Sequence, residues 1–163
     1  MKLPTPKPTP VEEKWKKICE GLAAERINLY FDLKKVLGEE KGTEVFKRLY
    51  DEGIQRIRKN FPGGKLPVGD LMRKELTSFP MLGFELTIDE VEEGGETAYY
   101  EHLTNCPFLN MAKKMKTPEL PCDFLCNYDV ELAVKDKRGR WEIVSRMGDG
   151  ANECVFKIKE WKD

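Results

Sequence analysis

Near residue 80 the apolar pattern of this chain changes period, and that change limits what it can fold into. Before it, apolar residues recur mostly at three- and four-residue steps, the spacing of one helix face. Trp15, Ile18, Cys19, Leu22, Ile27, Tyr30, Leu33 and Leu37 belong to the first series, with Lys and Glu on the other face and Gly38 as a stop. A second helix is expected from about Glu40 to Lys59, carrying Val45, Phe46, Leu49, Tyr50, Ile54 and Ile57, and broken by Phe61-Pro-Gly-Gly-Lys. A third fits 68–79 and ends before Pro80. Then Phe84-Glu-Leu-Thr-Ile-Asp-Glu-Val alternates apolar and charged residues, as a half-buried strand does. Glu93-Gly-Gly-Glu turns the chain and Thr97-Ala-Tyr-Tyr-Glu-His-Leu returns it. Pro107 to Met115 reads as a short helix with Pro at its first position, and Glu119 to about Val134 as another. Trp141-Glu-Ile-Val-Ser-Arg-Met, a Gly148-Asp-Gly-Ala-Asn turn and Cys154-Val-Phe-Lys-Ile-Lys-Glu-Trp make a second hairpin. The expected fold is α+β: N-terminal helices packed on an antiparallel sheet of about four strands, built from two hairpins with helices between them.

Charge excludes some functions. Lys plus Arg number 28 against 29 acidic residues, a net charge of −1. A dedicated nucleic-acid binder needs a net basic field, so no nucleic-acid partner is expected. No run approaches the ~18–20 apolar residues of a membrane span, so no membrane partner is expected either. Residues 1–10, Met1-Lys-Leu-Pro-Thr-Pro-Lys-Pro-Thr-Pro, lack the apolar core of a signal peptide and read as a disordered Pro-rich lead-in. Residues 11–163 are expected to form one domain, with a cytoplasmic location. In that reducing compartment five cysteines are poor material for a disulfide framework. Thiol chemistry, metal binding and plain burial remain.

Three stretches carry the chemistry: Glu101-His-Leu-Thr-Asn-Cys-Pro-Phe, Pro121-Cys-Asp-Phe-Leu-Cys-Asn-Tyr-Asp, and Gly148-Asp-Gly-Ala-Asn-Glu-Cys-Val-Phe. His102, the chain's only histidine, lies four residues before Cys106. Cys122 and Cys126 are four apart and would share one face of a helix. His102, Cys106, Cys122 and Cys126, with Cys154, are candidate ligands for zinc in a Cys₃His set or for an iron–sulfur cluster. The spacing matches neither a zinc knuckle nor a ferredoxin run. The same residues are candidates for nucleophilic catalysis. Cys122 follows Pro121 near a helix start, where backbone N–H groups favour an anion. Cys106 holds the N-cap position before Pro107. His102 would then be the base, with Asp123 or Asp129 to orient it or move protons. Burial competes with each reading, because free cysteine packs as a small hydrophobe. Cys19, on an amphipathic helix, is expected to be buried, and Asp129 has a simpler reading as a helix-surface charge. The Gly-rich turns lack the strand–loop–helix context of a phosphate site.

The order Cys-Pro at 106–107, Cys-x-x-x-Cys followed by Tyr-Asp at 122–129, and a Gly-rich turn into Cys-x-Phe at 148–156 resembles the L-2-amino-thiazoline-4-carboxylic acid hydrolase family. The resemblance covers about residues 98–158. It implies hydrolytic opening of a C–N bond in a small sulfur- and nitrogen-containing ring, with Cys106, Cys122, Cys126 and Cys154 at the motif positions. The family is similar in outline to the 4-vinyl-reductase class of small-molecule sensor domains. Those place cysteines near the final hairpin, often around zinc, with a Glu and a Cys ahead of the turn. Ile143-Val-Ser-Arg supplies neither here.

The expected function is therefore cysteine-centred hydrolysis of a C–N bond in a small heterocycle or amide. The competing expectation is a non-catalytic sensor or carrier that binds a small molecule, zinc or an iron–sulfur cluster. A small-molecule ligand is the expected partner in both. The long amphipathic helices also fit a homodimer.

Overall fold

The computed structural model describes residues 10–61 and 64–162. The lead-in over 1–9, the Pro62-Gly63 pair and Asp163 lie outside the described residues.

Helices α1 (Val11–Leu37) and α2 (Glu39–Arg58) fold back on each other around Gly38, whose φ of 86° suits a residue without a Cβ. The two backbones meet most closely at Gly42, where a Cβ would stand 2.4 Å from the Lys34 backbone. Helix α3 (Val68–Ser78) leads through a single turn at Pro80–Leu82 into β1 (Glu85–Glu93) and β2 (Glu96–Asn105). Helix α4 (Pro107–Met115) packs against α1, and α5 (Asn127–Lys135) precedes the hairpin of β3 (Arg140–Ser145) and β4 (Cys154–Lys159). The four strands form one antiparallel sheet in the order β1-β2-β4-β3, so the α+β architecture is as expected from the pattern. None of the described helices is long and apolar enough to cross a membrane.

Strand β2 decides which residues face the helices. With side chains alternating across the sheet, Tyr99, Glu101 and Leu103 point toward α3 and α5, and Tyr100 and His102 toward the opposite face. Two apolar clusters result. One joins α1, α2, α4 and the segment before α5, through Ile27, Tyr30, Phe46, Ala112, Phe124 and Leu125. The other lies between α3 and the sheet, through Val68, Met72, Leu103, Cys154, Phe156 and Ile158.

Two segments differ from the expectation. Cys122–Cys126 is a π-turn, in which the Asn127 N–H donates to the Cys122 carbonyl, and the regular helix begins only at Asn127. Strand β3 ends at Ser145 instead of Met147, because Met147–Asp149 closes a 3₁₀ turn with Gly150 in the left-handed region.

Candidate functional site

A cavity of about 250 Å³ opens between α3, α4, α5 and the inward face of the sheet. Phe79, Phe84, Phe108, Trp141, Phe156 and several leucines give it an apolar lining. Cys106, Cys122, Cys126 and Cys154 also line it, so the fold gathers all four motif cysteines on one space. Cys19 lies elsewhere, buried against Gly83, as a packing residue.

Each thiol owes its environment to a local turn. Cys106 is the N-cap of α4, and its Sγ accepts the Leu109 N–H at 3.5 Å. Burial nevertheless pushes this thiol up to about 11. Cys154 opens β4, and its Sγ accepts the Met147 N–H at 3.2 Å; burial raises it too. Cys122 behaves in the opposite way. The Cys126 S–H donates to it, Arg146 lies nearby and the Gly148 N–H donates as well, which together bring the thiol down to about 7 against the effect of burial. Cys126 is raised well above an ordinary thiol, first by that same hydrogen bond and then by burial. Within the pair, ionisation is favoured at Cys122 and disfavoured at Cys126.

Two residues hold this arrangement. A Cβ at Gly148 would stand 2.7 Å from Cys122 Sγ, so only glycine lets the turn approach the sulfur so closely. Arg146 is fixed by Asn127 Oδ1 at 2.9 Å and Asp149 Oδ2 at 2.7 Å, with Asp123 at 3.7 Å.

The cavity also has a polar end. Glu75 from α3, Glu101 from β2, Asp129 from α5 and Tyr50 from α2 line it. Burial raises Glu75 and Glu101 out of the ordinary carboxylate range, Glu75 facing Glu101 and Glu101 facing Asp129. Burial also raises Asp129, although Arg138 Nη2 stands 3.6 Å away and Tyr50 donates to it. Asp129 therefore lines the cavity while its side chain stays about 34% exposed.

His102 is not part of this site. It projects from the other face of β2, with Nε2 3.5 Å from Asp89 Oδ2 and Nδ1 3.3 Å from Glu153 Oε2. The proposed Cys₃His ligand set is thus split by the sheet, because His102 and the inward Glu101 are consecutive in a strand. Among the described residues no group of three or more His, Cys, Asp or Glu side chains is arranged to hold a metal ion. The zinc and iron–sulfur assignments of Cys106, Cys122, Cys126 and Cys154 thus find no support in this arrangement. Glu75 and Glu101 were missed as site residues, yet a signal existed. Glu101 shares the inward period of Tyr99 and Leu103, and Glu75 shares the helical face of Val68 and Met72.

The site is a partly open, mostly apolar cavity in an α+β fold. The chain belongs to the L-2-amino-thiazoline-4-carboxylic acid hydrolase family, whose model matches residues 16–158. Its fold is similar to that of the phenol-responsive sensory domain of the transcription activator PoxR, solved with phenol. The two share 16% identity with a TM-score of 0.51, over 87% of this chain and 74% of that one. No curated protein matches the chain significantly.

Proposed function

We propose that the protein hydrolyses a C–N bond in a small heterocycle or amide held in the cavity, with Cys122 as nucleophile. The observation that carries this reading is the asymmetric thiol pair, Cys122 lowered and Cys126 raised, on a wall shared with buried carboxyls. A thiolate is the reactive form of cysteine, and here the Cys126 S–H, the Gly148 N–H and Arg146 stabilise it. Attack of Cys122 Sγ on the carbon forms a C–S bond. The departing nitrogen takes a proton from Glu75 or Glu101, the carboxyls whose protonated form burial favours. The carboxylate left behind accepts a proton from water, whose oxygen attacks the same carbon and releases the thiolate. One water is consumed and one C–N bond opened. The acid–base duty assigned to His102 thus passes to the glutamates, and Cys106 and Cys154 remain neutral thiols in the wall.

A second reading, a non-catalytic sensor or carrier, is favoured by the aromatic and aliphatic share of the lining, which suits simple retention of an apolar ligand. The likeness of fold to a phenol-responsive sensory domain is consistent with it. The two are separated by incubating the protein with 2-amino-thiazoline-4-carboxylate and a set of small cyclic amides, and following ring opening by NMR. Turnover that is lost in Cys122→Ser at an unchanged melting temperature supports hydrolysis. Saturable binding without turnover supports the second reading. Absence of both overturns the pair.

A further inference from the structure

The polar end of the cavity holds two acceptors that the protein leaves unused. Glu75 is 8% exposed and Glu101 3% exposed, and both line the cavity. Among the described residues, Glu75 Oε2 and Glu101 Oε1 have no hydrogen-bond partner. Arg138 stands 3.6 Å from Asp129, and among the described residues its Nε and Nη2 have no hydrogen-bond partner, so it donates to neither glutamate oxygen, while Arg26 of α1 lines the same cavity. A buried carboxyl oxygen without a donor is costly, and a ligand that supplies the donor recovers that cost.

We propose that Glu75 and Glu101 recognise a cationic nitrogen head, an amidinium or ammonium group, carried on a flat apolar body that lies against Phe84, Phe108 and Phe156. The inference rests on the cavity being the ligand site and adds the class of ligand. A carboxylate head would oppose ionisation of Glu75, Glu101 and Asp129, whereas a cation favours it. A purely apolar ligand would leave both oxygens unpartnered. An amidinium offers parallel N–H donors to two acceptors at once, as charge-assisted pairs require.

Proton linkage follows. The pair faces Asp129 from α5 and Arg138 beyond it, with Tyr50 of α2 bonded to Asp129. In the free protein burial favours the protonated form of these carboxyls. A bound cation favours ionisation of one of the two carboxyls and leaves the proton on the other, so binding releases a proton, and affinity rises with pH until the free pair ionises.

The test is titration calorimetry of the full chain with benzamidine, toluene and benzoate. The expected result is benzamidine binding at least about tenfold tighter than toluene, no benzoate binding, and proton release seen in buffers of unequal ionisation heat. Glu101→Gln and Glu75→Gln should each weaken benzamidine about tenfold or more while leaving toluene binding unchanged. Toluene binding with no preference for benzamidine, or a preference untouched in both variants, overturns the recognition claim while the cavity stands as a ligand site. Failure of every probe to bind overturns both.

Discussion

Two buried polar clusters of this protein have opposite fates. In the helical half, Lys34 is 9% exposed with its ammonium 4.7 Å from the centroid of the Tyr30 ring, which stacks on Phe124 at 3.9 Å and an angle of 6°. Its ammonium meets Glu119 and Glu39, and the Tyr30 hydroxyl at 3.2 Å, while Tyr30 donates to Glu119 at 2.7 Å. In the sheet half, Glu75 is as deeply buried at 8%, yet one of its oxygens meets no donor. Burial alone does not separate architecture from function. What separates them is whether the protein itself completes the hydrogen bonding: the lysine cluster is closed, and the glutamate cluster is open toward a cavity.

The largest break in that comparison comes from the closed side. Phe124→Ala removes a ring that contacts Tyr30, Phe31 and Phe46, and should cost about 3–5 kcal/mol in urea denaturation. A smaller loss of about 1–3 kcal/mol is expected for Gly148→Ala, whose new methyl meets Cys122 Sγ. That variant should also slow iodoacetamide modification of Cys122, since the turn must withdraw its N–H to relieve the contact. Wild-type Cys122 should be half-reactive near its lowered value of about 7, with the other cavity thiols silent until well above it.

The comparison is sharpest when one replacement is made on both sides. Lys34→Met strands Glu119 and Tyr30 without their cation and should destabilise. Glu75→Met removes an unpartnered oxygen and should stabilise, on the order of 1 kcal/mol at neutral pH. The sign follows from linkage. Glu75 is raised above its ordinary value of 4.5, so the folded state binds more protons than the unfolded one, and wild-type stability falls as pH rises above that value. The gain in Glu75→Met should vanish below about pH 4 and grow through neutrality, which melting curves at several pH values would show. A gain independent of pH would mean that the carboxyl is not the source.

Much of this was legible in the chain. The period change near residue 80 set the helices, the two hairpins and the antiparallel sheet, because both patterns reflect which side chains must leave water. The four cavity cysteines were legible as chemistry through their turn contexts, Cys106 before Pro107 and Cys122 after Pro121. Their partner was not. His102 drew attention through its rarity and its distance along the chain from Cys106, whereas the sheet sorts residues by parity. The π-turn at Cys122–Cys126 was hidden as well, since the same spacing fits a regular helix.

The smallest effect tests that sorting. Were His102 the base or a ligand for the cysteines, its loss would move the pH profile of Cys122 alkylation. The structure places it against Asp89 and Glu153 across the sheet from the cavity, at distances of 3.5 Å and 3.3 Å that make modest, partly solvated contacts. His102→Ala should therefore change stability by no more than about 0.5 kcal/mol and leave the Cys122 profile where it stands. Glu101→Gln, one residue earlier but on the inward face, should alter ligand binding while sparing the surface. A histidine variant that shifted the thiol would mean that the two faces communicate through β2. The division between an open carboxyl cluster and an outer histidine would then have to be redrawn along the strand.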